Sequence, residues 1–93
     1  MMKVKDITAL IEELCPLSQA EDFDNVGLLV GDYDNQVTGI LVALDCLEET
    51  IDEAIENECN LVISFHPIIF KGLKKINGSD YVQRVVIKAI KND

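Results

Sequence analysis

The chain has one histidine, no tryptophan, only two prolines and an aromatic content of 5% across 93 residues. With a single imidazole it cannot by itself build the His-rich ligand sets of most catalytic zinc centres. Its three cysteines, Cys15, Cys46 and Cys59, include no C-x-x-C pair, so neither a disulfide framework nor a cysteine zinc site is indicated. They read as free, buried thiols. Cys46 follows an expected strand and can lie near a site, but no histidine or lysine adjoins it in sequence to make it a nucleophile. No apolar run approaches the roughly 20 residues needed to cross a bilayer, and the N-terminus MMKVKDITAL lacks the apolar centre of a signal peptide. The expected compartment is therefore the cytoplasm, without membrane attachment.

Positive charge is also scarce: 8 Lys and Arg against 17 acids give a net charge of −9, which argues against general nucleic-acid binding. The distribution is uneven. Residues 1 to 60 carry two lysines and fifteen acids, whereas residues 61 to 93 carry six basic residues and two acids. The switch falls just after His66, at Lys71, Lys74 and Lys75. Two readings stand: solvated faces of separate elements, or a loop beside a phosphate-bearing ligand.

What the chain does have is 48% apolar and 27% charged residues, the balance of an ordinary folded domain, and its length allows one. Residues 1–93 are therefore expected to form a single α/β domain. Val4, Ile7, Leu10, Ile11 and Leu14 recur at helical spacing, placing an apolar stripe on a helix from about Lys5 to Cys15 that Pro16 stops. Glu21 to Asn25 reads as a polar connector, Val26 to Val30 as a short strand ending at Gly31, and DYDNQVTG (Asp32 to Gly39) as a turn.

Ile40 to Leu44 is an unbroken apolar run, the pattern of a strand covered on both faces. Asp45 and Glu48 are spaced as a capping box for a helix to about Asn57, with Leu47, Ile51, Ala54 and Ile55 inward. Leu61 to Ile63 gives a second apolar strand, so strand, helix, strand forms a parallel βαβ unit. Ser79 is positioned to cap a last helix with Val82, Val85, Val86, Ala89 and Ile90 inward. The expected architecture is a partial α/β sandwich: a small mixed sheet, two strands parallel and one hairpin-like, with helices on its faces.

Ligands of open α/β sheets sit beyond the carboxyl ends of parallel strands. Asp45 and the SFHP segment both fall there, and neighbouring strands about 4.8 Å apart would open Asp45 and His66 onto one edge. Asp45 then reads as a helix cap or a site-edge group. His66 reads as a structural strand-end residue or a ligand, and Pro67, lacking an N–H, is expected to aim it away from the ladder.

Three blocks, EDFDNVGLLVG (Glu21 to Gly31), LVALDCLEETIDEAI (Leu41 to Ile55) and LVISFHPIIFKGLKKI (Leu61 to Ile76), resemble successive segments of the GTP cyclohydrolase 1 type 2 homolog family, also called NGG-interacting-factor-three-like proteins. The resemblance covers nearly the whole chain and implies a longer, two-domain α/β protein, of which this would be the N-terminal fragment. It also implies ring-shaped hexamers and a pair of divalent metal ions, which zinc, iron or manganese would suit. In that family the metals are held by a histidine pair in the block that here reads SFHP, an aspartate after the next strand, and a distant histidine and glutamate. His66 matches the second histidine of the pair, and Phe65 stands where the first would be. The resemblance thus implies a metal-dependent hydrolase acting on a nucleotide-like substrate, with the 93-residue chain alone inactive. A non-catalytic oligomeric metal-binding or protein-interaction scaffold is the alternative.

Overall fold

A computed structural model describes residues 2–14, 27–69 and 72–93 of the chain. Helix α1 spans Val4–Leu14, strand β1 Ile40–Ala43, helix α2 Glu48–Glu56, strand β2 Leu61–Ser64 and helix α3 Tyr81–Lys91. The strands pair in parallel, Ile40 opposite Leu61 through Ala43 opposite Ser64, with α2 as the connection. The βαβ unit expected from the two apolar runs is therefore present, and the fold is α/β.

The helices form where apolar side chains recur at three and four residue steps, but only part of each stripe is covered. The buried core is Val4 and Ile7 of α1, Ile51 and Ala54 of α2, and Val85 and Val86 of α3. α2 packs on both strands and on α3. Leu14, at 84% exposure, shows that the outer half of the α1 stripe faces solvent, as do Leu10 and Ile11.

Several sequence expectations are corrected. Val26 lies outside the described residues, and 27–30 form no strand. Gly27 (φ 104°) and Gly31 (φ 125°) bracket that segment with left-handed backbone, which a ladder cannot follow. Among the described residues the sheet has two strands, and antiparallel pairing is reduced to one isolated bridge between Lys3 and Gln36. Nor is β1 covered on both faces. Ile40, Val42 and Leu44 alternate on one side of it and are exposed, Val42 by 74%.

Both expected caps shift. Asp45 does not cap α2: the cap position is Leu47, whose side chain has no acceptor, and Thr50 Oγ1 accepts from the Leu47 N–H at 3.1 Å while donating to the Asp45 carbonyl at 3.1 Å. The chain needs residues 44–47 to turn from strand to helix, which leaves Asp45 two positions too early. At α3 the cap is Asp80, accepting from the Gln83 N–H at 2.9 Å, and Ser79 instead bonds back to Asn77 Oδ1.

Candidate functional site

β1 and β2 end side by side, and their carboxyl ends lead into two turns, 45–47 and 66–68. These turns and Tyr81, the first residue of α3, enclose an open groove of about 300 Å³. Its position follows from the fold: parallel strands deliver both turns to one edge, and α3 packed along α2 brings its N-terminal end there as well. Leu47, Pro67 and Ile68 give the groove apolar walls, and Asp45 and His66 supply its polar groups.

A detail of the ladder aims His66. Leu61 and Phe65 donate to Gly39 and Ala43 at 3.2 and 3.1 Å, as alternate residues of a parallel strand do. His66, the very next residue, also donates across, to the carbonyl of Leu44 just past β1, at 3.0 Å. Two successive amides facing the same neighbouring segment require the backbone to rotate at this point, and the His66 side chain meets the turn that follows β1. The paired register ends at Ala43 opposite Ser64, and the His66 amide bonds one residue beyond β1. Ser64 Oγ fixes the turn by donating to the His66 carbonyl at 2.8 Å.

The rotation puts His66 Nδ1 2.5 Å from Asp45 Oδ1, a direct contact between groups 21 residues apart. An ionised carboxylate only accepts, so a neutral His66 donates through Nδ1–H. Nε2 then keeps its lone pair and makes no hydrogen bond among the described residues. Both side chains remain about half exposed. The Phe65 ring meets the imidazole edge-on, 5.1 Å between centroids, and is itself 79% exposed.

Among the described residues no three His, Cys, Asp or Glu side chains are placed to hold a metal ion together. The donor set therefore fits a metal only as a contribution, one imidazole with a free nitrogen, and is not a complete centre. Cys46 lines the groove, and its thiol is pushed above its ordinary value by burial, which disfavours the thiolate. Lys74 and Lys75 are exposed and outside the groove lining, and Lys71 lies outside the described residues. Leu47, Ile68 and Tyr81 are lining residues that sequence reasoning missed, the most distant in sequence being Tyr81. Its only signal was its place just after the Asp80 cap, which matters once α3 is known to lie beside α2.

The model of the family described as DUF34/NIF3 (NGG1p interacting factor 3) matches residues 2–93. A relative from Clostridium acetobutylicum named GTP cyclohydrolase 1 type 2 homolog is 49% identical over 92 residues, which are 99% of this chain and 34% of the relative. The crystal structure of a Staphylococcus aureus protein superposes with a TM-score of 0.94 at 46% identity, covering 99% of this chain and 30% of that one. A Bacillus cereus protein related to NIF3 gives a TM-score of 0.93 at 36% identity, over 100% of this chain and 26% of that one. The chain thus spans about a third or less of the proteins it matches. By both sequence and structure, the chain belongs to the DUF34/NIF3 (NGG1p interacting factor 3) family.

Proposed function

We propose that this chain forms part of a divalent-metal-dependent hydrolase acting on a nucleotide-like substrate, with His66 contributing one metal ligand through Nε2. The observation that supports this reading is the placement of the sole imidazole at the carboxyl edge of the sheet in a chain of this family, its Nε2 without a hydrogen bond among the described residues. The name of the Clostridium acetobutylicum relative gives the substrate class to try first, GTP. Zinc, iron and manganese all suit imidazole with oxygen donors, and further ligands would come from residues beyond these 93. A bound ion of this kind supplies water acidified toward neutral pH.

The chain's own residues have separate tasks in this reading. His66 holds a nitrogen lone pair at the groove, and Leu47, Pro67, Ile68 and the Tyr81 ring give apolar surface for a planar base. Lys74 and Lys75, with Lys71, supply positive charge on the segment after the groove, suited to phosphate. Assembly into a homo-oligomer, and a place in the cytoplasm, complete the proposal. The test uses a protein carrying this chain at the length of its relatives, assayed for metal content and GTP turnover with His66 intact and as His66→Ala. Loss of about one metal equivalent and of turnover is expected, and unchanged metal content would remove His66 from the ligand set.

Phe65 favours a second reading. Its exposed ring occupies the position adjoining His66 where a coordinating side chain would otherwise extend the donor set. With one donor fewer, the protein would serve as an oligomeric scaffold without catalysis. Saturable GTP turnover by the unmodified protein rules that reading out.

A further inference from the structure

We propose that Asp45 is a positioning residue: it holds His66 as the Nδ1–H tautomer, with the ring fixed so that Nε2 presents its lone pair to the groove. The inference rests on the reading of His66 as a ligand for what Nε2 is used for. The tautomer and ring orientation stand on geometry alone.

Three observations carry it. The Nδ1 to Oδ1 distance of 2.5 Å puts the carboxylate in direct hydrogen-bond contact with that ring nitrogen. Asp45 is not held in place as a helix cap, because Thr50 serves the first turn of α2 and uses only the Asp45 carbonyl. The carboxylate is thus left to the imidazole. Finally, the ring is restrained on other sides: Phe65 meets it edge-on, and the bonds His66 N–H to Leu44 O and Ser64 Oγ to His66 O fix its backbone. An unrestrained imidazole in water favours the opposite tautomer, with the proton on Nε2, which would occupy the nitrogen that makes no hydrogen bond among the described residues. A carboxylate on Nδ1 reverses that preference and fixes the ring.

Among the described residues, the other acidic groups of this region do not compete for the role. Glu48 bonds Arg84 Nε at 2.8 Å, and Asp80 caps α3. Cys46 is a groove neighbour, but burial keeps its thiol protonated and a poor acceptor for Nδ1–H.

The experiment is nitrogen-detected NMR of the His66 ring, the chain's single imidazole signal set, at a pH where it is neutral. The 93-residue protein is compared with Asp45→Ala and Asp45→Asn, each checked for an unchanged far-UV spectrum. The protein should show a protonated Nδ1 and a bare Nε2. Asp45→Ala should revert to Nε2–H, and Asp45→Asn, which keeps an acceptor oxygen, should retain the Nδ1–H form in part. A wild-type ring protonated on Nε2, or a tautomer unchanged in Asp45→Ala, overturns the proposal.

Zinc chloride titrated into the same samples separates positioning from a merely structural contact. Saturable shifts centred on Nε2 should need about 10-fold or more zinc in Asp45→Ala, the range expected when a ligand loses its orienting partner. Equal zinc dependence in the two proteins overturns the role of Asp45. Absence of any His66 shift with zinc in the unmodified protein overturns the reading of His66 as a metal ligand, while the tautomer result still decides the positioning role of Asp45.

Discussion

Asn60 does more for the fold than its sequence position suggested. Its Oδ1 accepts from the Thr38 N–H at 2.8 Å and its Nδ2 donates to the Gln36 carbonyl at 2.6 Å, so one side chain ties the segment entering β1 to the residue before β2. Replacing it with alanine should cost about 1–2 kcal/mol through the two lost bonds, which lowers the melting temperature by roughly 5–10 °C in a chain of this size. Thermal denaturation checks this, and an unchanged midpoint would show that water replaces both bonds. Next to it, a Cβ added at Gly39 would meet Cys59 Sγ at 3.0 Å and the Glu58 carbonyl at 3.3 Å, so glycine is needed there for close approach. Cys46 gives the pH-dependent expectation at this scale. Burial raises its thiol above the ordinary value, so the native state keeps a proton that the unfolded chain releases. Its contribution is whole below the ordinary value and fades as pH rises through the raised one. Iodoacetamide should therefore label Cys46 more slowly than an unfolded control near pH 8, with the difference closing at higher pH. None of these roles has a local sequence signature, because each depends on a contact with a distant segment.

At the scale of elements, α2 and α3 lie side by side and run the same way. Glu48 pairs with Arg84 and Asp52 with Lys88, both at 2.8 Å, and the four-residue step on each helix keeps the two pairs in register. The hydrogen bond to Asp52 raises the Lys88 ammonium above its ordinary 10.5, with desolvation opposing, so this pair's help is complete below that value and fades above it. Arg84→Ala should cost about 0.5 kcal/mol, the scale of a half-exposed pair, and the loss should shrink in 1 M salt. Urea denaturation at low and high salt measures it, and a salt-independent cost would assign the effect to lost packing instead. The helices themselves were legible, since the spacing of Ile51 with Ala54 and of Val85 with Val86 is a local property that burial then uses. The βαβ order was legible for the same reason. The expected strand at Val26 to Val30 was not realised over 27–30, where apolar Leu28 to Val30 looked extended but left-handed glycines stand at both ends. The caps failed on a finer point: D-x-x-E and a serine before an apolar stripe were recognised, yet the turn out of β1 consumed Asp45 and the Asn77–Ser79 bonds consumed Ser79. That displaced aspartate is also what the site needed, so one local misreading and the closeness of Asp45 to His66 have the same cause.

For the molecule as a whole, the apolar side of β1 is unfinished surface. Ile40, Val42 and Leu44 alternate along it and Phe65 continues the apolar character at the end of β2, all exposed in a sheet of two strands among the described residues. An exposed apolar face beside the unpaired backbone edges of so narrow a sheet favours association with another chain. Sedimentation velocity over a range of concentrations should show dimers or larger species, and Val42→Lys should shift the distribution toward monomer; a clean monomer at high concentration would count against self-association. The site shares the dependence on long-range closure. Asp45 follows β1 and His66 follows β2, with α2 and β2 between them, and their contact exists only when the two strands pair in register. Because the chain has one histidine, that contact makes its imidazole an internal gauge of folding: the ring can take its native environment only after the crossover has closed, and must lose it when the crossover opens. Any process that loosens the groove, from heat to a distant substitution, is thereby written into a single side chain that can be followed without a label.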